Sequence, residues 1–279
     1  MSKYGLGFIV VTHAMLIHPV FAGDLSSDVR RGTSSPNSNE GNYVEVGMSI
    51  DTFTSPYYGV PQGTTSGETI VRGTLDLNLN LHYKRWFVEG FSQSLEQFTF
   101  GYNVANNDSW SFDAVALQQH AEISKDISKD LKGINERKED FMLGIRTTGY
   151  WNNYIVQLHA LTDISDTHSG QVYSAKIAHH WQQKNWNFHA ILGSSYRTQS
   201  VTDYYYSVHA DDASEKFPEF QAQAGFTHVF EIGATYPINQ KWVFRSLYRH
   251  VELDQQWVGS PFIIEDHADL LINSISYVF

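Results

Sequence analysis

The chain has 279 residues, a formal net charge of −11 at pH 7, no cysteine and an aromatic content of 14%. The negative charge argues against nucleic acid as a partner, and the lack of cysteine excludes a disulfide framework and a lipid-modified N-terminal cysteine. Many aromatic residues in a chain with a mean hydropathy of −0.34 indicate a membrane β-barrel, which is apolar outside and polar inside. A soluble β-sandwich or barrel is the alternative.

Residues 1–22 have the layout of a secretory signal peptide. Lys3 precedes an apolar run from Leu6 to Ile17, and Val20-Phe21-Ala22 ends the segment with a small residue before Gly23. The run is too short to cross a bilayer as a helix. We therefore predict cleavage between Ala22 and Gly23 and export of the mature chain beyond the inner membrane.

Residues 23–42 contain almost no apolar side chain. Such a composition cannot bury enough apolar surface to fold. The sequence predicts a flexible periplasmic segment here, and the barrel over residues 43–279.

Period-two alternation dominates residues 43–279. Residues 68–83 read ETIVRGTLDLNLNLHY, with mostly apolar side chains at odd positions and mostly polar ones at even positions. About twelve segments of about ten residues alternate in this way, which is the length that a tilted membrane strand needs. We predict an all-β fold, a transmembrane antiparallel up-and-down β-barrel of about twelve strands, with ten or fourteen as alternatives.

The polar faces of these segments carry charges that we expect in the lumen. In a barrel of this size such side chains pair across the interior and largely fill it, and a narrow pore is the alternative. The predicted lumen charges are Arg72, Asp76, Arg146, Lys176, Glu231, Arg245 and Arg249.

Connections of two lengths separate the segments. Residues 82–85 and 237–241 resemble tight turns, whereas 54–68, 209–224 and 253–268 are long and rich in Pro, Gly, Ser and Asp. Outer-membrane barrels have short periplasmic turns and long extracellular loops. The long connections are therefore predicted to lie outside the cell.

The chain ends on an alternating segment, LLINSISYVF. Leu271, Ile275, Tyr277 and Phe279 share one face of this predicted last strand, which is interrupted by Asn273. A terminal aromatic residue closing such a strand is the feature that the outer-membrane assembly machinery recognises. We predict that these four residues form the assembly signal and that the barrel sits in outer-membrane lipid.

Residues 119–138 form a long charged connection that the strand count places on the periplasmic side. Its charges of both signs offer a polar surface for a periplasmic partner, and a solvated turn without a partner is the alternative. The candidate residues are Lys125, Asp126, Lys129, Asp130, Lys132, Glu136, Arg137 and Lys138.

The stretch DYYYSVHADDA at 203–213 raises the possibility of chemistry at the barrel rim. We interpret it as the upper end of a strand, with its tyrosines in the aromatic girdle, running into an acidic outer loop. A protease-like alternative would use His209, Asp211 and Asp212 with the acidic and histidine residues of 265–269. The girdle interpretation is the simpler one.

The remaining histidines and serines do not form a recognisable site. His179 and His180 are adjacent, so in a strand they face opposite sides and cannot easily bind one ion. No spacing singles out a serine and histidine pair for a lipase. We therefore predict no catalytic residue, no metal and no cofactor.

Four stretches resemble the MltA-interacting protein (MipA/OmpV) family. They read KDLKGINERKEDFMLGIRTTGYW at 129–151, LHALTDISDTHSGQVYSAKIAHHW at 158–181, DYYYSVHADDAS at 203–214, and VGSPFIIEDHADLLINSISYVF at 258–279. The chain departs from the family at Ser207, where glycine is common, and at Gly259, where aspartate is common.

This resemblance implies a non-enzymatic protein of the outer membrane. It implies a scaffold that brings a periplasmic lytic murein transglycosylase together with a penicillin-binding synthase, so that both are expected partners. A small porin-like channel and a surface adhesin are the alternatives that other family members suggest.

Overall fold

Twelve antiparallel strands form a closed barrel in which each strand pairs with its neighbours in chain order and β1 pairs with β12. The computed structural model describes residues 25–32, 42–94, 96, 98–120, 122–124, 126 and 128–279. The predicted cleavage site at Ala22 and Gly23 lies outside the described residues and stays a prediction. The predicted up-and-down barrel of about twelve strands is confirmed.

The strands are six to fifteen residues long. Their bounds are β1 (Tyr43–Thr54), β2 (Thr69–Tyr83), β3 (Trp86–Phe91), β4 (Phe98–Asn106), β5 (Trp110–Gln118), β6 (Phe141–Trp151), β7 (Tyr154–Asp163), β8 (Gln171–Gln183), β9 (Trp186–Arg197), β10 (Gly225–Pro237), β11 (Trp242–Glu252) and β12 (His267–Val278). The helices are α1 (Leu25–Arg31), α2 (Gln199–Tyr206) and a 3₁₀ turn at Lys129–Leu131. No helix in the described part of the chain is long and apolar enough to cross a membrane.

The wall of the barrel is apolar outside and polar inside. On β1, Met48 and Ile50 are exposed while Glu45, Ser49 and Asp51 are buried. The pleat of a strand sends alternate side chains to opposite faces, so each strand repeats this pattern. An exposed apolar belt around a buried polar interior is the reverse of a soluble barrel and suits a lipid environment.

The two ends of the barrel differ in their connections. At one end, which we call the turn end, connections are short, at 84–85, 107–109, 152–153, 184–185 and 238–241. Lys84, Asn152 and Lys184 have φ values of 58°, 53° and 55° there, as two-residue hairpins require to match the strand twist. Short turns face the periplasm in such barrels.

The opposite end, which we call the loop end, carries long connections. They span 55–68, 119–140, 164–170, 198–224 and 253–266. By the same rule this end faces the cell exterior. It is also where the sequence-based predictions for 54–68, 209–224 and 253–268 placed them.

The predicted periplasmic position of residues 119–138 is wrong. Four strands, β6 to β9, separate this connection from 198–224, and an even number of strands returns the chain to the same end. Arg137 accordingly forms an ion pair with Asp212, with Nη2 and Oδ2 2.9 Å apart. The Tyr205 hydroxyl donates to the carbonyl of Lys138 at 2.8 Å.

The tyrosines of 203–213 lie on α2 and not at the end of a strand, which corrects the girdle interpretation. Tyr205 and Tyr206 are 2% exposed and pack with Val201 and Trp257 beneath the loops. Aromatic residues favour strands only weakly, and tertiary packing overrides that preference here. Tyr205 and Tyr206 are therefore core residues and do not belong to the membrane girdle.

The prediction of a flexible segment over residues 23–42 is wrong for its helical part. Residues 25–31 form α1, and Leu25 and Val29 are completely buried. An i, i+4 spacing puts both on one helix face, which packs inside the barrel against β7 to β10. Residues 33–41 lie outside the described residues.

Candidate functional site in the barrel lumen

An apolar pocket receives α1 at the turn end of the lumen. Leu25 and Val29 pack with four buried side chains from β6 to β9. These are Tyr150, Ile155, Ala178 and Ile191. Inward-facing positions of a membrane barrel are otherwise polar, so this pocket is a built receptor for the helix.

Polar contacts fix the helix in that pocket. The Tyr150 hydroxyl donates to Asp28 Oδ2 at 2.7 Å. Asn187 Nδ2 donates to the carbonyls of Val29 and Arg30 at 3.2 and 2.7 Å. These carbonyls are in the last turn, where intrahelical donors run out, and the Val29 carbonyl also accepts from the N–H of Gly32 at 3.2 Å. The helix is thus capped by a barrel side chain.

Glu231 lies at the centre of a buried charged network. Its side chain is 0% exposed and accepts from Arg30 Nη2 at 2.9 Å and from Arg249 Nε at 2.8 Å. His189 Nε2 lies 2.9 Å from its Oε1. Both arginines also donate to the carbonyl of Gln93, at 3.3 and 2.9 Å. The network joins α1, β9, β10, β11 and the connection between β3 and β4.

Further ion pairs cross the lumen. Arg146 on β6 pairs with Glu89 on β3 at 2.7 Å and with Asp113 on β5 at 3.2 Å. Because β3 and β6 are not neighbours, the first of these contacts spans the interior. Arg245 on β11 pairs with Glu45 on β1 in the same way.

All seven predicted lumen charges face inward. Arg72 pairs with Asp51 at 3.1 Å, Asp76 accepts from Gln93 Nε2 at 3.2 Å, and Lys176 is 4% exposed. The other four belong to the networks described above. The helix and these side chains lie inside the lumen.

An aromatic core under the loops covers the other end of the barrel. Tyr206 stacks on Trp257 with ring centroids 4.9 Å apart, and Phe217 on Phe262 at 5.9 Å. Trp257 is completely buried and donates through Nε1 to the carbonyl of Gln223 at 2.8 Å. We call this core and its loops the cap.

Beneath the cap, Asp140 joins two buried histidines. Its Oδ2 lies 2.6 Å from His120 Nδ1 and 2.9 Å from His168 Nε2. Its Oδ1 accepts from the backbone N–H groups of Gln119 and His120 at 3.0 and 2.7 Å. The cluster ties the 119–140 connection to the loop between β7 and β8.

The donors around this cluster favour protons over a metal. Gly170 N–H donates to His168 Nδ1 at 2.9 Å and Arg197 Nε donates to His120 Nε2 at 3.4 Å. Each histidine therefore carries its proton on the nitrogen that faces Asp140. A metal ion there would have to displace both protons beside a guanidinium cation.

Burial and hydrogen bonding set the charges in this cluster. Burial lowers the pKa of His120, and the carboxylate of Asp140 offsets this only in part. Burial raises the pKa of Asp140, but His120 and His168 outweigh it and hold that pKa well below its usual range. The cluster is two imidazoles hydrogen-bonded to one carboxylate, and it acts as a structural tie.

The residues of the protease-like alternative are engaged in separate loop contacts. Asp212 is committed to Arg137, and His209 lies 3.3 Å from Asp203. Glu265 accepts from the N–H of Gly67 at 3.0 Å. His179 stacks on Tyr154 outside the barrel while His180 is buried inside.

The predicted partner surface lies at the loop end, where some of its residues are buried or hydrogen-bonded within the loops. Asp130 Oδ2 accepts from Gly63 N–H at 2.6 Å, and Arg137 is buried in the cap. Lys125 lies outside the described residues. The exposed members of the predicted set are Asp126, Lys129, Lys132, Glu136 and Lys138.

The predicted assembly residues lie on the outer face of the last strand. Leu271 and Ile275 are 41% and 47% exposed, and Phe279 is 75% exposed just beyond β12. The N–H of Phe279 donates to the carbonyl of Val44 at 3.0 Å, which closes the seam with β1. Their role in assembly stays a prediction.

Sequence reasoning missed the helix that plugs the lumen and the Asp140 cluster. The i, i+4 pair Leu25 and Val29, followed by Arg30, was a usable signal for a short amphipathic helix. Asp140 and His168 carry no such signal, because their pairing depends on how two loops meet.

Comparison with known proteins agrees with this architecture. A family model described as MltA-interacting protein MipA matches residues 46–279. Outer membrane protein YiaT of Escherichia coli (strain K12) is 21% identical over 194 residues, covering 68% of this chain and 79% of that protein. Outer membrane protein Omp26La of Vibrio anguillarum is 21% identical over 155 residues, covering 56% and 60%.

Among solved structures, the NanC porin is similar with a TM-score of 0.46 at 10% identity, covering 82% of this chain and 98% of that chain. An outer membrane channel from Pseudomonas putida F1 gives 0.45 at 14% identity, covering 88% and 99%. The sequence relatives are named as outer membrane proteins, and this chain is an outer-membrane β-barrel. It belongs to the MltA-interacting protein MipA family.

Proposed function

We propose that this protein is a closed, non-enzymatic barrel that works by binding other envelope proteins, as a scaffold for a murein transglycosylase and a penicillin-binding synthase. The observation that carries this is the occupied lumen, in which α1 and the Glu231 network stand where a pore would be. The family description names an interaction with MltA. A barrel with a filled lumen still presents the surfaces at its two ends for binding other proteins.

The acid and histidine groups at the loop end support a non-enzymatic role. Asp140 is fully buried and held by His120 and His168, and Asp212 is held by Arg137. A general base needs a free lone pair within reach of a substrate proton. The lone pairs of these carboxylates are already engaged in contacts between the loops.

The turn end is the surface that we assign to periplasmic partners. Its exposed charges are mainly basic, with Lys84, Arg85, Lys184 and Lys241 against Asp108. We call these four basic residues the basic rim. Complementary charge steers association and selects partners, so the basic rim suits a protein with an acidic docking face.

Charge reversal of the basic rim tests this assignment. The variant Lys84→Glu, Arg85→Glu, Lys184→Glu, Lys241→Glu should lose co-purification with the two murein enzymes after periplasmic crosslinking. The matched control, Lys129→Glu with Lys132→Glu, changes exposed lysines at the loop end and should retain it. Both must first show heat-modifiable, membrane-inserted barrels. Equal recovery from both variants would contradict the assignment.

A gated channel is the second candidate, and the separability of α1 favours it. The helix is held by an apolar pocket, the Arg30 ion pair and side-chain hydrogen bonds from Tyr150 and Asn187, and it is not part of the β-sheet. Removal of residues 25–31 should produce discrete conductance steps in planar bilayers where the full chain is silent. A silent deletion variant that is inserted and folded would argue against a channel.

A further inference from the structure

The wall of the barrel has a notch beside β2. Pairing of β2 with β3 ends at Asn78 and Phe91, because the β3–β4 hairpin is short. Residues 69–77 of β2 continue past that point and pair with β1 alone, up to Thr54 and Thr69. The far edge of β2 is therefore without a strand partner over this stretch of the described chain.

The last contact on that edge, between Leu77 and Ser92, shows which backbone groups of β2 point towards the notch. Leu77 N–H donates to Ser92 Oγ at 2.7 Å, and Ser92 Oγ donates to the Leu77 carbonyl at 2.9 Å. Alternation along a strand points the N–H and C=O groups of Leu75, Gly73 and Val71 to the same side. Among the described residues these groups have no hydrogen-bond partner on that side.

The wall beside and below the notch is apolar on its outer face. Val71 and Leu75 are 67% and 69% exposed on β2. Phe98 and Phe100 on β4 lie below the notch, level with Leu79 and Leu81 through their pairing with β3, and are 50% and 43% exposed. A backbone group left without a partner in the hydrocarbon region costs several kcal/mol, so open sheet edges are avoided there. A molecule from the bilayer must supply hydrogen bonds to this edge.

Gly73 keeps the middle of the edge accessible. Its nearest neighbour to an added Cβ would be the Ser49 carbonyl oxygen, 4.0 Å away. A glycine inside a strand often marks the place where a ligand approaches the backbone closely. Because Gly73 has no side chain, it leaves a gap between the outward side chains of Val71 and Leu75.

The notch is closed on its lumen side. Gln93 and Ser94 are 3% and 0% exposed, and Gln93 is fixed by Asp76, Arg30 and Arg249. The notch is therefore a recess open to the membrane and not a side door to the lumen. Its occupant comes from the leaflet that faces the loop end.

We propose that this recess is a binding site for one outer-leaflet lipid. The acyl chain lies along Val71 and Leu75, and the ester, amide or hydroxyl groups at the head of the chain exchange hydrogen bonds with the backbone of Val71, Gly73 and Leu75. A second copy of the protein does not suit the edge. Its β2 would run in the same direction in the same membrane, so antiparallel pairing is not available.

Native mass spectrometry of the detergent-extracted protein tests the proposal. The wild type should retain one lipid, and Gly73→Val, which fills the open face, should retain about tenfold less, the loss expected for about 1.4 kcal/mol of lost contacts. The control Ala175→Val also introduces a valine on the exposed face of β8, which is paired on both sides, and should retain the wild-type amount. The mass distinguishes a phospholipid from lipopolysaccharide.

Amide hydrogen exchange gives a second measurement that does not depend on a variant. The amides of Val71, Gly73 and Leu75 should exchange slowly in bilayers that contain the retained lipid and about tenfold faster after delipidation, whereas Met48 and Ile50, paired on both sides of β1, should not change. Equal retention by Gly73→Val and wild type would overturn the site. Slow exchange in the delipidated protein would overturn it too, since the chain itself would then close the edge.

Discussion

Two buried carboxylates, Glu231 in the lumen and Asp140 under the cap, are equally removed from water but are held in different ways. Both side chains are 0% exposed. Glu231 is surrounded by the guanidinium groups of Arg30 and Arg249. Asp140 is surrounded by two imidazoles and two backbone N–H groups.

The difference follows from the elements that meet at each place. In the lumen, the neighbouring strand β11 and the helix α1 bring guanidinium groups to Glu231 on β10, and a buried charge there needs a countercharge. Loops bring backbone groups and short side chains, which satisfy a carboxylate by hydrogen bonds alone. The lumen network should therefore be the more sensitive of the two to loss of one partner.

Glu231→Gln should give the largest effect. It leaves Arg30 and Arg249, which are 6% and 3% exposed, without a countercharge, and breaking a buried pair in this way costs about 3–5 kcal/mol. The free energy of unfolding from urea titration in lipid vesicles measures it. Glu252→Gln, an exposed change on β11, is the control and should leave the free energy of unfolding unchanged. Equal midpoints for both variants would show that the network does not stabilise the barrel.

Arg30→Gln should have a smaller effect, confined to α1. Glu231 keeps Arg249 and His189, so the main loss is the charged hydrogen bond from Arg30 to Glu231, about 1.5–3 kcal/mol, together with the longer bond to the Gln93 carbonyl. Hydrogen exchange of residues 25–31 should rise while the barrel strands stay protected. Arg85→Gln, at the exposed turn between β2 and β3, is the control. Unchanged exchange in α1 would mean that the apolar pocket alone holds the helix.

Asp140→Asn should loosen the cap without touching the lumen. The amide cannot accept from all four donors that the carboxylate serves, and an unsatisfied buried donor costs about 1–3 kcal/mol. Limited proteolysis within 119–140 should accelerate, with the unfolding midpoint of the barrel nearly constant. Asp126→Asn, exposed on the same connection, should behave as wild type. A fall in the unfolding midpoint of the barrel would show that the Asp140 cluster and the Glu231 network unfold as one cooperative unit.

Lowering the pH should weaken the cap by a smaller amount. Burial lowers the pKa of His120, with Arg197 and His168 adding to this and Asp140 opposing it. Protonation of His120 is therefore disfavoured in the closed cap, whereas the opened loop takes up the proton below about pH 6.5. The stability of the cap falls as the pH falls, by at most about 1.4 kcal/mol per pH unit. The lowered pKa of Asp140 keeps it ionised across this window, and its own contribution is lost only below about pH 4.

Hydrogen exchange at the Gln119 and His120 amides, corrected for intrinsic rates, measures this effect between about pH 7.5 and about pH 5.5. His120→Gln should remove the dependence, and persistence of the dependence in that variant would assign it to another group.

The wall of the barrel was predictable from the sequence because it depends on one local rule. Alternation alone places Arg146 inside and Ile145 outside, and the length of each alternating run gives the strand count. The partners across the lumen were not predictable in this way. That Arg146 meets Glu89 depends on the size and stagger of the closed barrel, which no single strand encodes.

The loop end was harder to predict, because packing there overrides local preference. The three tyrosines have strand-forming side chains but lie on α2, since Tyr205 and Tyr206 can be buried against Val201 and Trp257. The misplacement of 119–138 came from the strand count, in which one missed hairpin inverts a connection. A charged stretch looks the same to sequence reasoning on either side of the membrane.

The position of α1 in the chain has a consequence for the order of folding. The helix precedes every strand, yet its pocket consists of Tyr150, Ile155, Ala178 and Ile191 from β6 to β9. A helix of seven residues is not stable alone in water, so it can form only after those hairpins are built. The first described element of the chain is therefore among the last to fold, and the arrival of Leu25 and Val29 in their pocket marks a finished barrel.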